Sequence, residues 1–238
     1  MLSQAVDTQW LLELLTAGGA PGVALIVLLL LLSLAAFALA VEQFLSLRES
    51  VLAPEGLSSR VAKRLDSGDL LAAQRACDEH ACFLGEVIRT AIDEARELSP
   101  AVTWQHLEKS MEDTIEAGSA KLLRRVDYLS VIGNLAPMVG LLGTVVGMIL
   151  AFKEVAATQG AATAGELASG IYQALVTTVG GLLVAIPSLA AYAVLRSRVD
   201  AITAVVALEA ERATRPLKKA LLRGSGPRVV APPRTGTV

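Results

Sequence analysis

The sequence is short of charge, of aromatic side chains and of the residues that metal and redox chemistry use. Charged residues make up 18% of its 238 residues and aromatics 4%, with two cysteines and two histidines. An average soluble domain carries about 25% charge, and here the deficit is concentrated. No ionisable Asp, Glu, Lys, Arg or His lies between Glu13 and Glu42, between Asp127 and Lys153, or between Glu166 and Arg196. Each gap is longer than the roughly 20 apolar residues that span a bilayer core. An ordinary soluble enzyme and a disordered chain are thereby excluded. Two cysteines exclude a disulfide framework. A net charge of −2 excludes the strongly basic field of a nucleic-acid binder. No phosphate loop, nucleophile elbow or dinucleotide fingerprint is present, so neither an enzyme nor a cofactor site is expected. What is present, 53% hydrophobic residues, points to an all-α integral membrane protein. Three transmembrane helices are expected, two of them extended into a cytoplasmic helical bundle.

Basic residues set the orientation. None precedes the first gap; eleven lie between Leu45 and Asp127, Lys153 alone lies in the second link, and nine follow from Arg196 onward. Basic residues close to a span favour the cytoplasmic side, so the N-terminus is expected outside and the C-terminus inside. The expected organisation is an external segment at 1–19, a first span at 20–44 and a cytoplasmic helical loop at 45–126. A second span at 127–152, an external link at 153–166 and a third span at 167–195 follow. A cytoplasmic helical extension at 196–223 and a disordered tail at 224–238 complete it. The first segment lacks the basic start and short apolar core of a signal peptide, and Trp10-Leu11-Leu12 reads as an interfacial helix.

Pro21 suits the first turn of span one, whose Leu, Val and Ala carry no polar stripe beyond Ser33; that span is expected to face lipid. In the loop, a helix from Gly56-Leu57 to Leu65 is expected to break at Ser67-Gly68-Asp69. Asp69 then caps a helix from Leu70 to Glu79, and another runs from Phe83 to Glu97. Ser99-Pro100 is a helix start, and one long helix is expected from Pro100 through span two. Span three continues inward through Val199, Ile202 and Val206 until Pro216 breaks or kinks it. Cys77, His80 and Cys82 could ligate zinc, but the spacing is not that of a finger, and no metal site is expected. His106 reads as an ordinary surface or packed side chain.

Two spans carry small residues at helical spacing. Gly133, Pro137, Gly140, Thr144, Gly147 and Ala151 recur every three or four residues along span two, and Gly143 is counted with its packing residues. Gly170, Ala174, Thr177, Gly181, Ala185 and Ser188 do the same along span three, with Gln173 and Thr178 on the flanks. Small residues on one face let helix backbones approach closely in lipid. Pro187 removes a backbone donor and frees a carbonyl near Leu183. Two readings are open: helix packing alone in a non-conducting scaffold, or a polar path. For the threonines a bond to their own helix carbonyls is the plainer alternative. A self-contained ion-coupled transporter is disfavoured, because no Asp, Glu, Lys, Arg or His lies inside a span away from its ends.

The run Ala136-Pro-Met-Val-Gly-Leu-Leu-Gly-Thr-Val-Val-Gly-Met-Ile149 resembles the second-span signature of the ExbB/TolQ/MotA proton-channel family. Gly170-Ile-Tyr-Gln-Ala-Leu-Val-Thr-Thr-Val-Gly-Gly-Leu-Leu-Val-Ala-Ile-Pro187 resembles its third-span signature. The likeness is strong over about 127–200 and looser over 20–125, and three spans favour the ExbB/TolQ-like branch. It implies a subunit of an energy-transducing motor in the bacterial inner membrane, a homo-oligomer, most simply a pentamer. It further implies an ExbD/TolR-like single-span partner that supplies a membrane Asp, and a TonB/TolA-like periplasm-spanning protein. Thr144 and Thr178 match the family's pore-lining threonines, and Thr177 joins them as an ion-pathway residue. At position 173 many ExbB members have Glu, whereas Gln173 can hydrogen-bond but cannot titrate.

Overall fold

The structure, a computed structural model, describes residues 19–97, 103–159 and 163–223. Regular structure among them is helical throughout: α1 (Gly19–Ser46), α2 (Glu49–Leu52), α3 (Leu57–Asp66), α4 (Leu70–Asp78), α5 (Phe83–Glu97), α6 (Trp104–Ala157) and α7 (Ala164–Leu222). Three of them, α1, α6 and α7, are long and apolar enough to cross a membrane. The interfacial segment at Trp10, the Ser99-Pro100 start and the tail at 224–238 lie outside the described residues.

The chain divides into two compact units, one of residues 1–43 and 126–194, the other of 44–125 and 195–238. In the first, the apolar segments of α1, α6 and α7 pack on one another. Leu29 of α1 is buried with Ala136 of α6 and Ala185 of α7, and Val139 and Val184 close over them. The expectation of a wholly lipid-facing span one needs correction. Its flank is exposed at Leu30, Leu31, Leu34 and Phe37, but Gly22, Leu29, Ala36 and Gln43 are buried. These four are seven residues apart, two helical turns, and therefore form one narrow line along the helix.

The second unit is built on amphipathic helices. Leu57, Val61 and Leu65 of α3, Leu70, Ala73 and Cys77 of α4, and Val87, Ile88, Ala91, Ile92 and Ala95 of α5 are all buried. From α7, Leu195, Val199, Ile202, Val206, Ala210, Ala213 and Leu217 are buried at three- and four-residue steps, which marks one core-facing stripe. The α3–α4 turn uses Gly68 at φ 79°, a left-handed conformation that glycine adopts without cost. Asp69 then accepts from the Ala72 backbone N–H at 2.9 Å, capping α4. Of the break or kink expected at Pro216, the break does not occur: α7 continues as helix to Leu222. Ala213, Thr214 and Leu217 around that proline are buried, and the packing of this turn outweighs the roughly 3 kcal/mol proline penalty.

At about 1.5 Å per residue, the 54 residues of α6 extend about 80 Å. The helix runs on through Pro137. α6 ends at Ala157 and α7 begins at Ala164.

Candidate functional site

The helix pair α6–α7 of the first unit is where the small residues of both spans meet. A methyl group placed on Gly181 would lie 2.6 Å from the Ala136 carbonyl oxygen and 3.1 Å from Gly140 Cα. One on Gly140 would lie 2.9 Å from the Thr177 carbonyl oxygen. Gly147 faces Ala174, Gly170 faces Ala151, Gly133 faces Leu189, and Gly143 faces the Thr177 side chain. Partner numbers fall along α7 as they rise along α6, so the helices run antiparallel, and contact is backbone to backbone at the centre. The apposed face of α6 is Gly133, Ala136, Gly140, Gly143, Gly147 and Ala151, all buried. Pro137 and Thr144 stand at its edge, half-buried. Pro187 of α7 is exposed.

Close approach decides what the hydroxyls do. Thr177 is buried and donates to the Ala174 carbonyl of its own helix at 2.8 Å, with the Gly140 carbonyl at 3.4 Å. Thr178, half-buried, donates across the pair to the Gly140 carbonyl at 3.1 Å. Thr144 donates to the Leu141 carbonyl at 2.6 Å. Each hydroxyl hydrogen is thus engaged with a carbonyl, and the hydroxyl oxygens keep lone pairs able to accept a hydrogen bond.

Gln173 faces α1. A methyl on Gly22 would stand 3.3 Å from Gln173 Nε2, and that nitrogen is buried with no hydrogen-bond partner among the described residues. Beside it lies a cavity of about 10 Å³ lined by Gly22, Leu25, Gly143, Val146, Gln173 and Thr177, about the room one water molecule needs. Gly22 did not figure in the sequence reading. No spacing signal marks it, since Leu29 and Ala36, which share its line, stand among equally apolar neighbours.

In the second unit, Cys77, His80 and Cys82 share the lining of a hollow of about 610 Å³ with Arg89, Lys121 and Arg125. Burial, and then the neighbouring Cys82, pushes the Cys77 thiol up to about 12, which keeps it protonated. Cys82 Sγ accepts from the Gly85 backbone N–H at 3.3 Å. Among the described residues no three His, Cys, Asp or Glu side chains converge to hold a metal ion. His106 is exposed, with its Nδ1 2.9 Å from the Thr103 hydroxyl.

Long helices that pair through glycine and threonine along apolar stretches without Asp, Glu, Lys, Arg or His, 128–152 in α6 and 167–195 in α7, define a multi-span membrane protein with a weakly polar helix interface. The chain belongs to the MotA/TolQ/ExbB proton channel family, whose model matches residues 81–207 and so includes both paired spans. It is 52% identical to biopolymer transport protein exbB1 of Vibrio cholerae over 62 residues, 26% of this chain and 27% of that one. It is 35% identical to the Tol-Pal system protein TolQ of Pseudomonas aeruginosa over 95 residues, 40% of this chain and 41% of that one. With biopolymer transport protein ExbB of Neisseria meningitidis the identity is 30% over 175 residues, 70% of this chain and 78% of that one. The first two matches thus span less than half the length of those relatives, whereas the third spans most of it.

Proposed function

We propose that the chain is the channel-forming subunit of an ExbB/TolQ-like motor in the bacterial inner membrane. It couples the proton motive force to transport or envelope work through an ExbD/TolR-like single-span partner. The observation that carries this reading is the content of the spans. Away from their ends, over 20–41, 128–152 and 167–195, they hold the hydroxyls of Thr144, Thr177 and Thr178 and the amide of Gln173, but no Asp, Glu, Lys, Arg or His. Hydroxyls and amides can line a file of water, yet none binds and releases a proton near neutral pH. The titrating group therefore comes from the partner, as an Asp on a membrane helix. A carboxylate inside a membrane is costly and marks an ion path. Each proton crossing yields about 2.3 kcal/mol per 100 mV, enough to bias a conformational step by tens of fold. A homopentamer around the partner helices, and a TonB/TolA-like protein that receives the motion, belong to the same proposal.

The orientation proposed is N-terminus in the periplasm, loop and C-terminus in the cytoplasm. In intact spheroplasts an impermeant thiol reagent labels a cysteine placed at Gln159 and spares Cys77 and Cys82. Labelling of the native pair from outside inverts the arrangement.

Proton uptake into vesicles under an imposed potential, with the partner co-reconstituted, tests the pathway. Thr144→Val and Thr178→Val keep the shape of the side chain and remove its hydroxyl. The hydroxyl of Thr178 also bonds the Gly140 carbonyl, at a cost on removal of about 0.6 kcal/mol, too little to prevent assembly. Both variants are expected to assemble and to conduct less. Gln173→Leu is expected to have the milder effect, because no titration is lost, and removing the partner's carboxylate abolishes flux. Full flux in both threonine variants refutes the pathway, and flux from this chain alone refutes the partner carboxylate. No flux under any condition supports a scaffold that only packs helices.

A further inference from the structure

Four basic side chains of the second unit stand against carboxylates. Arg89 meets Asp78 and Asp93, Lys109 meets Asp113, Lys121 meets Glu86, and Arg212 meets Glu209. The α3–α4 hairpin is different. Arg60, Lys63 and Arg64 stand at i, i+3 and i+4 on one face of α3, a spacing at which like charges repel. The Gly68 turn reverses the chain and α4 brings Arg75 to the same place. These four cations line a concavity of about 600 Å³ with Ser67, Ala72, Ala76 and Glu79, the last being the one carboxylate in the lining. All four cations are exposed, and none has a carboxylate within ion-pair distance among the described residues.

The cations cannot relax apart. Leu57, Val61 and Leu65 on α3 and Leu70, Ala73 and Cys77 on α4 are buried behind them, and the Asp69 cap fixes the start of α4. Lys63, Arg64 and Arg75 each lie in the last turn of a helix, where a cation complements the helix dipole. The dipole explains each of those three singly. It does not explain why they share one hollow with Arg60 and a single acid.

We propose that the hollow binds a phosphate ester, held by the forked guanidinium groups of Arg60, Arg64 and Arg75 and the Lys63 ammonium. Guanidinium groups match phosphate oxygens two at a time, and the volume is that of a small-ligand cleft. The same chemistry is offered by the headgroup of an anionic phospholipid and by a soluble phosphate ester. Arg60 follows the end of α1 at Ser46 by fourteen positions, and basic clusters close to a span are frequent lipid-headgroup sites.

The test uses the full chain in phosphatidylcholine nanodiscs, with lysine acetylation read by mass spectrometry. Lys63 reports on the hollow, and Lys109 and Lys219 serve as controls. Two probes are compared: phosphatidylglycerol in the disc, and glycerol 3-phosphate in solution. Protection of Lys63 but not of the controls by the lipid alone assigns the site to a headgroup. Protection by the soluble ester as well assigns it to phosphate esters in general. Arg60→Gln combined with Arg75→Gln should weaken protection about thirtyfold, with circular dichroism unchanged, since each cation contributes about a fivefold factor near an anionic surface. Equal protection in the double variant, parallel protection of Lys109 and Lys219, or no protection by either probe overturns the proposal. So does protection by a polyglutamate peptide where both phosphate probes fail.

Discussion

Gly180 and Gly181 are neighbours in α7 with opposite surroundings, and alanine substitution separates them. A methyl at Gly180 meets only Leu29 Cδ1, at 3.6 Å, whereas one at Gly181 lies 2.6 Å from the Ala136 carbonyl oxygen. Ordinary contact begins near 3.4 Å, so the backbones at Gly181 must part by 0.8 Å, the difference between those two distances. If the parting is felt along the Thr178–Gly140 bond, its 3.1 Å becomes about 3.9 Å, past the limit of a hydrogen bond. Overpacking costs about 1–3 kcal/mol and the lost interhelical bond about 0.6 kcal/mol. Alanine's better helix propensity returns about 1 kcal/mol. Gly181→Ala is therefore expected to destabilise the chain by about 0.6–2.6 kcal/mol, and Gly180→Ala to stabilise it by up to about 1 kcal/mol. A chain of this length shifts its midpoint by about 2–4 °C per kcal/mol. Heating the detergent-solubilised variants and measuring the folded fraction by size-exclusion chromatography reads both signs. If the two variants move together, or Gly181→Ala is as stable as the parent, the close approach of α6 and α7 at Ala136 is wrong.

The raised Cys77 thiol gives a reactivity and a pH prediction. At pH 8, iodoacetamide should modify Cys82 while Cys77, ionised roughly a thousandfold less than an ordinary thiol, is spared; equal labelling contradicts its burial. Its folded value of about 12 lies above the ordinary 9.0, so its contribution to stability is whole below pH 9 and is lost as pH rises toward 12. Stability should therefore fall less steeply over that window in Cys77→Ala than in the parent, when both are followed by denaturant titration. Asp69→Ala removes the cap on α4 and should cost about 1 kcal/mol, read as a fall of about 2–4 °C in the same heating assay. An unchanged midpoint would show that the cap is not formed.

The spans were legible because lipid forbids charge, and three charge-free stretches leave few alternatives. The face joining α6 to α7 was legible for a related reason: Gly133, Gly140, Gly147 and Ala151 on one helix, and Gly170, Ala174 and Gly181 on the other, keep helical spacing. Spacing alone did not rank Thr177, Thr178 and Thr144. Which hydroxyl bonds its own helix and which reaches across depends on a rotation of a few tens of degrees. Leu29 was not legible, since it stands in a run of leucines and only its packing on Ala136 and Ala185 sets it apart. A break at Pro216, one of the two outcomes the local rule for proline allows, does not occur, and its neighbours on the same turn are buried. The basic hollow needed the reversal at Gly68, because Arg75 is eleven residues from Arg64 in sequence and reaches it only through the hairpin.

The buried line of α1 decides how strongly selection can act on that helix. Between residues 22 and 43 only Gly22, Leu29, Ala36 and Gln43, one position in seven, are buried. At the exposed positions between them, apolar residues of many shapes can be exchanged at little cost. A one-residue insertion within the helix, by contrast, would turn everything on one side of it by about 100° and take part of the line out of register. Saturation mutagenesis of residues 22–43 should therefore yield a tolerance profile with a period of seven. Substitutions at the exposed positions between the four anchors would be nearly silent, and single-residue insertions would be as damaging as any change at the anchors themselves.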